Sequence, residues 1–113
     1  MLRRLSLLSL ASLWLGLNLA TPAVAQDEAI VITIKNHRFD PETIEIPAQK
    51  KVKLLIKNLD ATPEEFESDD LHREKIVPAG KEVVVLIGPL KPGTYKFKGE
   101  YNPTTANGSV VVK

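Results

Sequence analysis

Six carboxylates fall within the eleven residues from Glu64 to Glu74: Glu64, Glu65, Glu67, Asp69, Asp70 and Glu74, with His72 among them. In extended backbone, successive side chains point to opposite faces, so Glu65 and Glu67 share one face and Phe66 takes the other. Paired oxygen donors make a hard site, suited to Fe, Mn, Mg or Ca, and one imidazole extends the range to Cu(II) and Zn. His72 can supply that imidazole from within the acidic segment. His37, in Asn36-His37-Arg38, is the other histidine of the chain. A solvated acidic loop is the alternative reading of the same residues. Glu74 between Arg73 and Lys75 looks like local charge pairing, which contributes about 0–1 kcal/mol on a surface.

Other chemistries are excluded by what the chain lacks. It has no cysteine, and its single methionine is Met1. A thiolate metal centre, a disulfide framework and a cysteine nucleophile are therefore out of reach. No serine sits in a G-x-S-x-G elbow, and no glycine-rich phosphate loop opens a helix. Two carboxylates could serve glycoside hydrolysis, but so short a chain leaves no room for a sugar cleft. Lys and Arg number 15 against 14 Asp and Glu. That balance offers no basic excess for nucleic acid.

The first residues read as an export signal rather than as fold. Arg3 and Arg4 form a basic start, Leu5 to Ala20 is an apolar run, and Ala23-Val24-Ala25 is an A-x-A cleavage site. The run of about 16 residues is short of the ~20 that span a bilayer. Residues 1–25 are expected to be a cleaved signal peptide and residues 26–113 one small domain, periplasmic and not membrane-embedded after cleavage. Without Arg3 and Arg4 the balance becomes 13 basic against 14 acidic side chains.

The elements that must position the acidic segment are strands. Pro and Gly punctuate the chain every ten residues or so, with β-branched runs between, the rhythm of an all-β sandwich or barrel. No helix of useful length is visible. Strands are expected at Ile30–Lys35, Ile44–Ile46, Val52–Lys57, Glu65–Glu67, Glu74–Val77, Glu82–Ile87, Thr94–Lys98 and Ser109–Lys113. Phe66 should face the core, and Glu82–Ile87 reads as near-continuously apolar. Tyr95 and Phe97 share one face, with Lys96 and Lys98 on the other. Lys53, Lys57, Lys96 and Lys98 mark wet faces, and Tyr101 is expected to pack.

These segments together resemble the cupredoxin-like family. Phe39-Asp40-Pro41, Ile44-Glu45-Ile46-Pro47-Ala48, Val52-Lys53-Leu54 and Asn58 resemble its opening. Val77-Pro78-Ala79-Gly80, Leu90-Lys91-Pro92-Gly93-Thr94-Tyr95-Lys96-Phe97 and Gly108-Ser109-Val110-Val111-Val112 resemble its later turn and last two strands. A subgroup of small exported proteins associated with bacterial iron-permease uptake looks closer still. Its likeness lies in Thr62 to Ser68, Leu71 to Lys75, Ile87 to Leu90 and the loop Gly99 to Gly108. At Asn102 this chain departs from a pattern that often has His.

The resemblance implies a Greek-key β-sandwich of one domain, with a metal at one end. One ligand would come from the strand after the Asn58 turn and the others from the loop before the last strand. On this chain those places are Glu65 or Glu67 and the Gly99–Gly108 loop, where Glu100 is the carboxylate. The resemblance points to Glu65, Glu67 and Glu100, ligand chemistry adds His72 and His37 as candidates, and the implied cofactor is a metal ion, copper or iron. The implied role is iron acquisition beside a membrane iron permease or another periplasmic uptake component, with an assisting part in Fe(II) oxidation. The alternative is a ligand-poor module that docks to a partner without metal.

Overall fold

The computed structural model describes residues 29–113; the expected signal peptide at 1–25 and the domain start at 26 lie outside them. Nine strands run in chain order: β1 (Ile30–Lys35), β2 (Arg38–Asp40), β3 (Thr43–Ile46), β4 (Val52–Asn58), β5 (Glu64–Ser68), β6 (Arg73–Val77), β7 (Glu82–Ile87), β8 (Gly93–Gly99) and β9 (Asn107–Val112). They form a four-stranded sheet, β2-β1-β4-β7, and a five-stranded sheet, β3-β9-β8-β5-β6. The pairs β1–β4 and β3–β9 are parallel and the remaining pairs antiparallel.

The sheets close on one apolar core. Ile32, Ile34, Leu54, Ile56, Val85 and Ile87 point inward from one sheet, and Ile44, Ile46, Phe66, Val77, Phe97, Val110 and Val112 from the other. Three phenylalanines knit the layers. Phe39 meets Phe66 and Phe97 edge-on, with centroids 6.2 and 5.0 Å apart, and Phe66 lies 5.0 Å from Phe97. Edge-to-face pairs of this kind add about 0.5–1.5 kcal/mol beyond area burial.

The all-β reading and the inward Phe66 agree with this architecture; three details differ. Strand β2 has three residues, too few to show a two-residue period between the Asn36-His37 turn and Pro41. In β7 only Val85 and Ile87 are buried, while Val84 and Leu86 are 46% and 57% exposed. They lie on the outer face of the four-stranded sheet, so a run apolar on both faces is covered on one. Tyr101 is 48% exposed and lies beside Glu65, whose carboxyl its hydroxyl hydrogen-bonds.

The loops at one end are locally determined. Asn58, 1% exposed, donates through Nδ2 to the carbonyls of Thr62 (2.9 Å) and Val77 (3.0 Å) and accepts from the Asp60 amide (3.0 Å). It thereby sets the turn that delivers β5. Asp60 in turn accepts the amides of Asn36 (2.7 Å) and His37 (3.0 Å), which both hold positive φ. A short polar side chain capping such a turn offsets part of the left-handed strain.

Candidate functional site

Strand β5 sorts the acidic segment by alternation. Glu64, Phe66 and Ser68 point inward and are buried, while Glu65 and Glu67 lie half-buried on the outer face of the five-stranded sheet. On that face Glu67 stands opposite Glu74 of β6 on one side and Lys98 of β8 on the other. The Glu100 amide donates to the Glu65 carbonyl (2.8 Å), which brings Glu100 onto the same face. Lys98 Nζ lies 3.2 Å from Glu100 Oε2.

The outer carboxylates perturb one another. Glu67 is held above the usual carboxyl range, chiefly by its hydrogen bond with Glu100, then by partial desolvation and repulsion from Glu100. Glu100 is pulled below that range by the same hydrogen bond and by Lys98, whose ammonium is in turn held up by Glu100. Glu65 is pushed up by desolvation, and by its hydrogen bond with and repulsion from Glu74; Tyr101 acts in the opposite sense. Two carboxylates this close repel each other when both are ionised, which opposes ionisation of Glu67 and Glu65.

The histidines singled out in the sequence sit in turns rather than on this strand face. His72, at φ 54°, ends the Asp69–His72 turn after β5, where its amide donates to the Asp69 carbonyl (3.2 Å). Asp70 is spent there on the Lys96 amide (2.8 Å), and Ser68 Oγ bridges the Lys96 carbonyl (2.6 Å) and the Leu71 amide (3.0 Å). His37 sits in the β1–β2 turn at the other end, its Nδ1 3.6 Å from Asp60 Oδ2 and its carbonyl accepting Thr105 Oγ1 (2.6 Å). Glu65, Glu67 and Glu100 are thus brought together, His72 lines a surface cavity with Glu67 and Glu74, and His37 is held at Asp60. Among the described residues no group of three or more His, Asp or Glu is arranged to hold one metal ion.

Glu64 is the residue that sequence reasoning passed over. It is 1% exposed, and its Oε1 accepts the amides of Glu65 and Tyr101, both at 2.9 Å. Its Oε2 accepts Asn102 Nδ2 at 2.8 Å. The signal was available: once Phe66 is inward, the two-residue period turns Glu64 inward too. The loop it holds is closed by its own bonds, Asn102 N to Gly99 O (3.1 Å), Ala106 N to Asn102 O (2.9 Å) and Gly99 N to Ala106 O (2.9 Å).

Comparison with known proteins agrees with this architecture. The family model of the cupredoxin-like domain matches residues 7–112. The chain is similar to the uncharacterized protein RP394 of Rickettsia prowazekii (strain Madrid E), 47% identical over 83 residues. That match covers 74% of this chain and 66% of the relative, so the chain spans just under two thirds of the relative's length. Among solved structures it is similar to a reduced amicyanin mutant, with TM-score 0.63 and 19% identity over 77% of this chain and 84% of that one. A second amicyanin mutant, in its Cu(I) form, gives TM-score 0.61 and 20% identity over 75% and 82%. At such identities the likeness is one of fold.

Proposed function

Since this chain belongs to the cupredoxin-like domain family, we propose that it is an exported accessory of iron acquisition that meets iron as passing cargo on its outer carboxylate face. The observation that carries this reading is the clustering of Glu65, Glu67 and Glu100, with Glu74 beside them, on one half-buried face of the sheet. Carboxylate oxygens are hard donors matched to iron and manganese. A cation arriving there competes with protons for Glu65 and Glu67, whose proton affinity is raised, and Lys98 is the side chain that must swing away from Glu100. The partner would be a membrane iron permease or another component of the same periplasmic uptake system.

Resident copper, which the fold family implies, does not fit the end of the sandwich. A blue-copper centre takes a Cys thiolate, two His and a weak axial Met. The side chains converging here are Glu64, Asn102 and Ala106, and Gly99 contributes none.

The test is titration of the metal-stripped protein with Fe(II) under nitrogen, Mn(II) and Cu(II), with released protons counted. Saturable stoichiometric binding with proton release, weakened by Glu67→Gln and Glu100→Gln, supports the reading. Absence of binding by the wild type removes it.

A second reading, a module that docks without metal, is favoured by the opposite face. Val31, Leu55 and Val84 stand side by side across β1, β4 and β7, and Leu86 extends the row opposite Lys53. Val31, Val84 and Leu86 are 40%, 46% and 57% exposed, and Lys53 and Lys57 flank the row on β4. Loss of co-purification with an uptake component in Val84→Lys plus Leu86→Lys, but not in the carboxylate variants, would favour docking over cargo binding.

A further inference from the structure

The structure assigns Glu64 the place of a metal ion: its carboxyl fills the socket at the end of the sandwich and pins the β8–β9 loop that a ligated metal would otherwise hold. Four positions from three elements meet there. Glu64 comes from the start of β5, Gly99 from the end of β8, Asn102 from the loop, and Ala106 from the loop's last turn. Glu64 and Ala106 are 1% and 0% exposed, so the socket is shut to solvent.

The packing around the carboxyl leaves no space for a ligand side chain at Gly99. A Cβ built there would lie 2.6 Å from both Cδ and Oε2 of Glu64 and 2.7 Å from the Ala106 Cβ. Glu64 and any thiolate-bearing residue at 99 are therefore mutually exclusive. Gly99 and Ala106 are small because the carboxyl already occupies the volume their side chains would enter.

The hydrogen bonding is complete in the same way. Glu64 takes the amide of Glu65 on its own strand, and across 37 and 38 residues it takes the Tyr101 amide and the Asn102 side chain. Among the described residues no buried side-chain nitrogen or oxygen is left unpaired. A metal ion organises a loop by drawing lone pairs toward one positive centre. Here one acceptor draws N–H donors, the same architecture with the polarity reversed. The loop is thus preorganised with no metal, independently of any cation on the outer face.

Backbone amide exchange of Tyr101 and side-chain NH2 exchange of Asn102, read by NMR, test this. In protein dialysed against EDTA both groups are expected to be protected, and added Cu(II) or Zn(II) is expected to leave them unchanged. Glu64→Ala should lower Tyr101 protection by at least about tenfold, the worth of one buried hydrogen bond. Glu64→Gln keeps an acceptor oxygen for the amides and should retain most of it, so the proposal stands on that variant if Glu64→Ala does not fold. An unprotected loop in stripped wild type, tightened by Cu(II) or Zn(II) through Glu64, would overturn the assignment by making Glu64 a ligand. Unchanged protection in Glu64→Ala would overturn it equally. Neither result touches the outer face, whose variants are Glu67→Gln and Glu100→Gln.

Discussion

Glu64 and Asn102 stand 38 residues apart in sequence and 2.8 Å apart in space, joined by a bond from Asn102 Nδ2 to Glu64 Oε2 at the closed end of the sandwich. The partly buried amide is turned so that its Nδ2 donates to the carboxyl, so the pair reads as a clasp.

Removing the carboxyl leaves three N–H donors without their partner. An unsatisfied buried donor costs about 1–3 kcal/mol. With partial relief by entering water, Glu64→Ala is expected to lose about 3 kcal/mol, and Glu64→Gln clearly less. Thermal unfolding followed by circular dichroism should show the Ala variant more than about 10 °C lower, since 1 kcal/mol moves a domain of this size by about 4–8 °C.

Gly99→Ala places a methyl group against the Glu64 carboxyl and Ala106. Overpacking of this kind costs about 1–3 kcal/mol. Because the clash is with Glu64 itself, Gly99→Ala in a Glu64→Ala background should cost much less. Urea unfolding of the four proteins of this cycle should give non-additive losses, as contacting residues do. Additive losses would show that the two residues do not share the socket.

The outer carboxylates titrate with opposite signs. Glu67 is held up by Glu100, so its contribution to stability is present below its unfolded value near 4.5 and is lost as pH rises through the folded value. Glu100 is held down by Glu67 and Lys98, so its contribution is present above its unfolded value near 4.5 and is lost as pH falls through the folded value. Carboxyl NMR titration should find Glu67 the later of the two to ionise, and Glu100→Gln should return Glu67 toward 4.5.

Cation binding on that face should strengthen as pH rises through the raised folded values of Glu65 and Glu67, whose protons then stop competing. His72→Ala should weaken binding less than Glu100→Gln, because the turn that carries it lies at the far end of β5 from Glu100 although it lines a cavity with Glu67. A greater loss in that variant would move the site to the Asp69–His72 turn.

Val84→Lys and Leu86→Lys act on an exposed face and should change stability by no more than about 0.5 kcal/mol. Phe66→Ala, in the aromatic junction, should cost about 3–5 kcal/mol. Comparing the two by chemical denaturation separates a free outer face from the core beneath it.

Much of the fold was legible because strand signals are local. Alternation in β4 and β8 and the Pro and Gly breaks between runs place eight of the nine strands within a residue or two. Strand β2 was missed because three residues between a turn and a proline carry no period. The site was less legible. The same alternation that put Glu65 and Glu67 outward also put Glu64 inward, yet a carboxylate is read as a surface group until three donors are seen around it.

What the sequence determined by itself was the class of the fold, the family likeness, and the absence of any thiolate centre, all consequences of residue type and short spacing. Tertiary structure decided that Glu65, Glu67 and Glu100 meet while His37 is held at Asp60, and that Glu64 closes the end of the sandwich. Those outcomes depend on strand register and on a loop folding back across some 40 residues. Pairing between distant strands is fixed by burial of the whole core, which no local window of sequence contains.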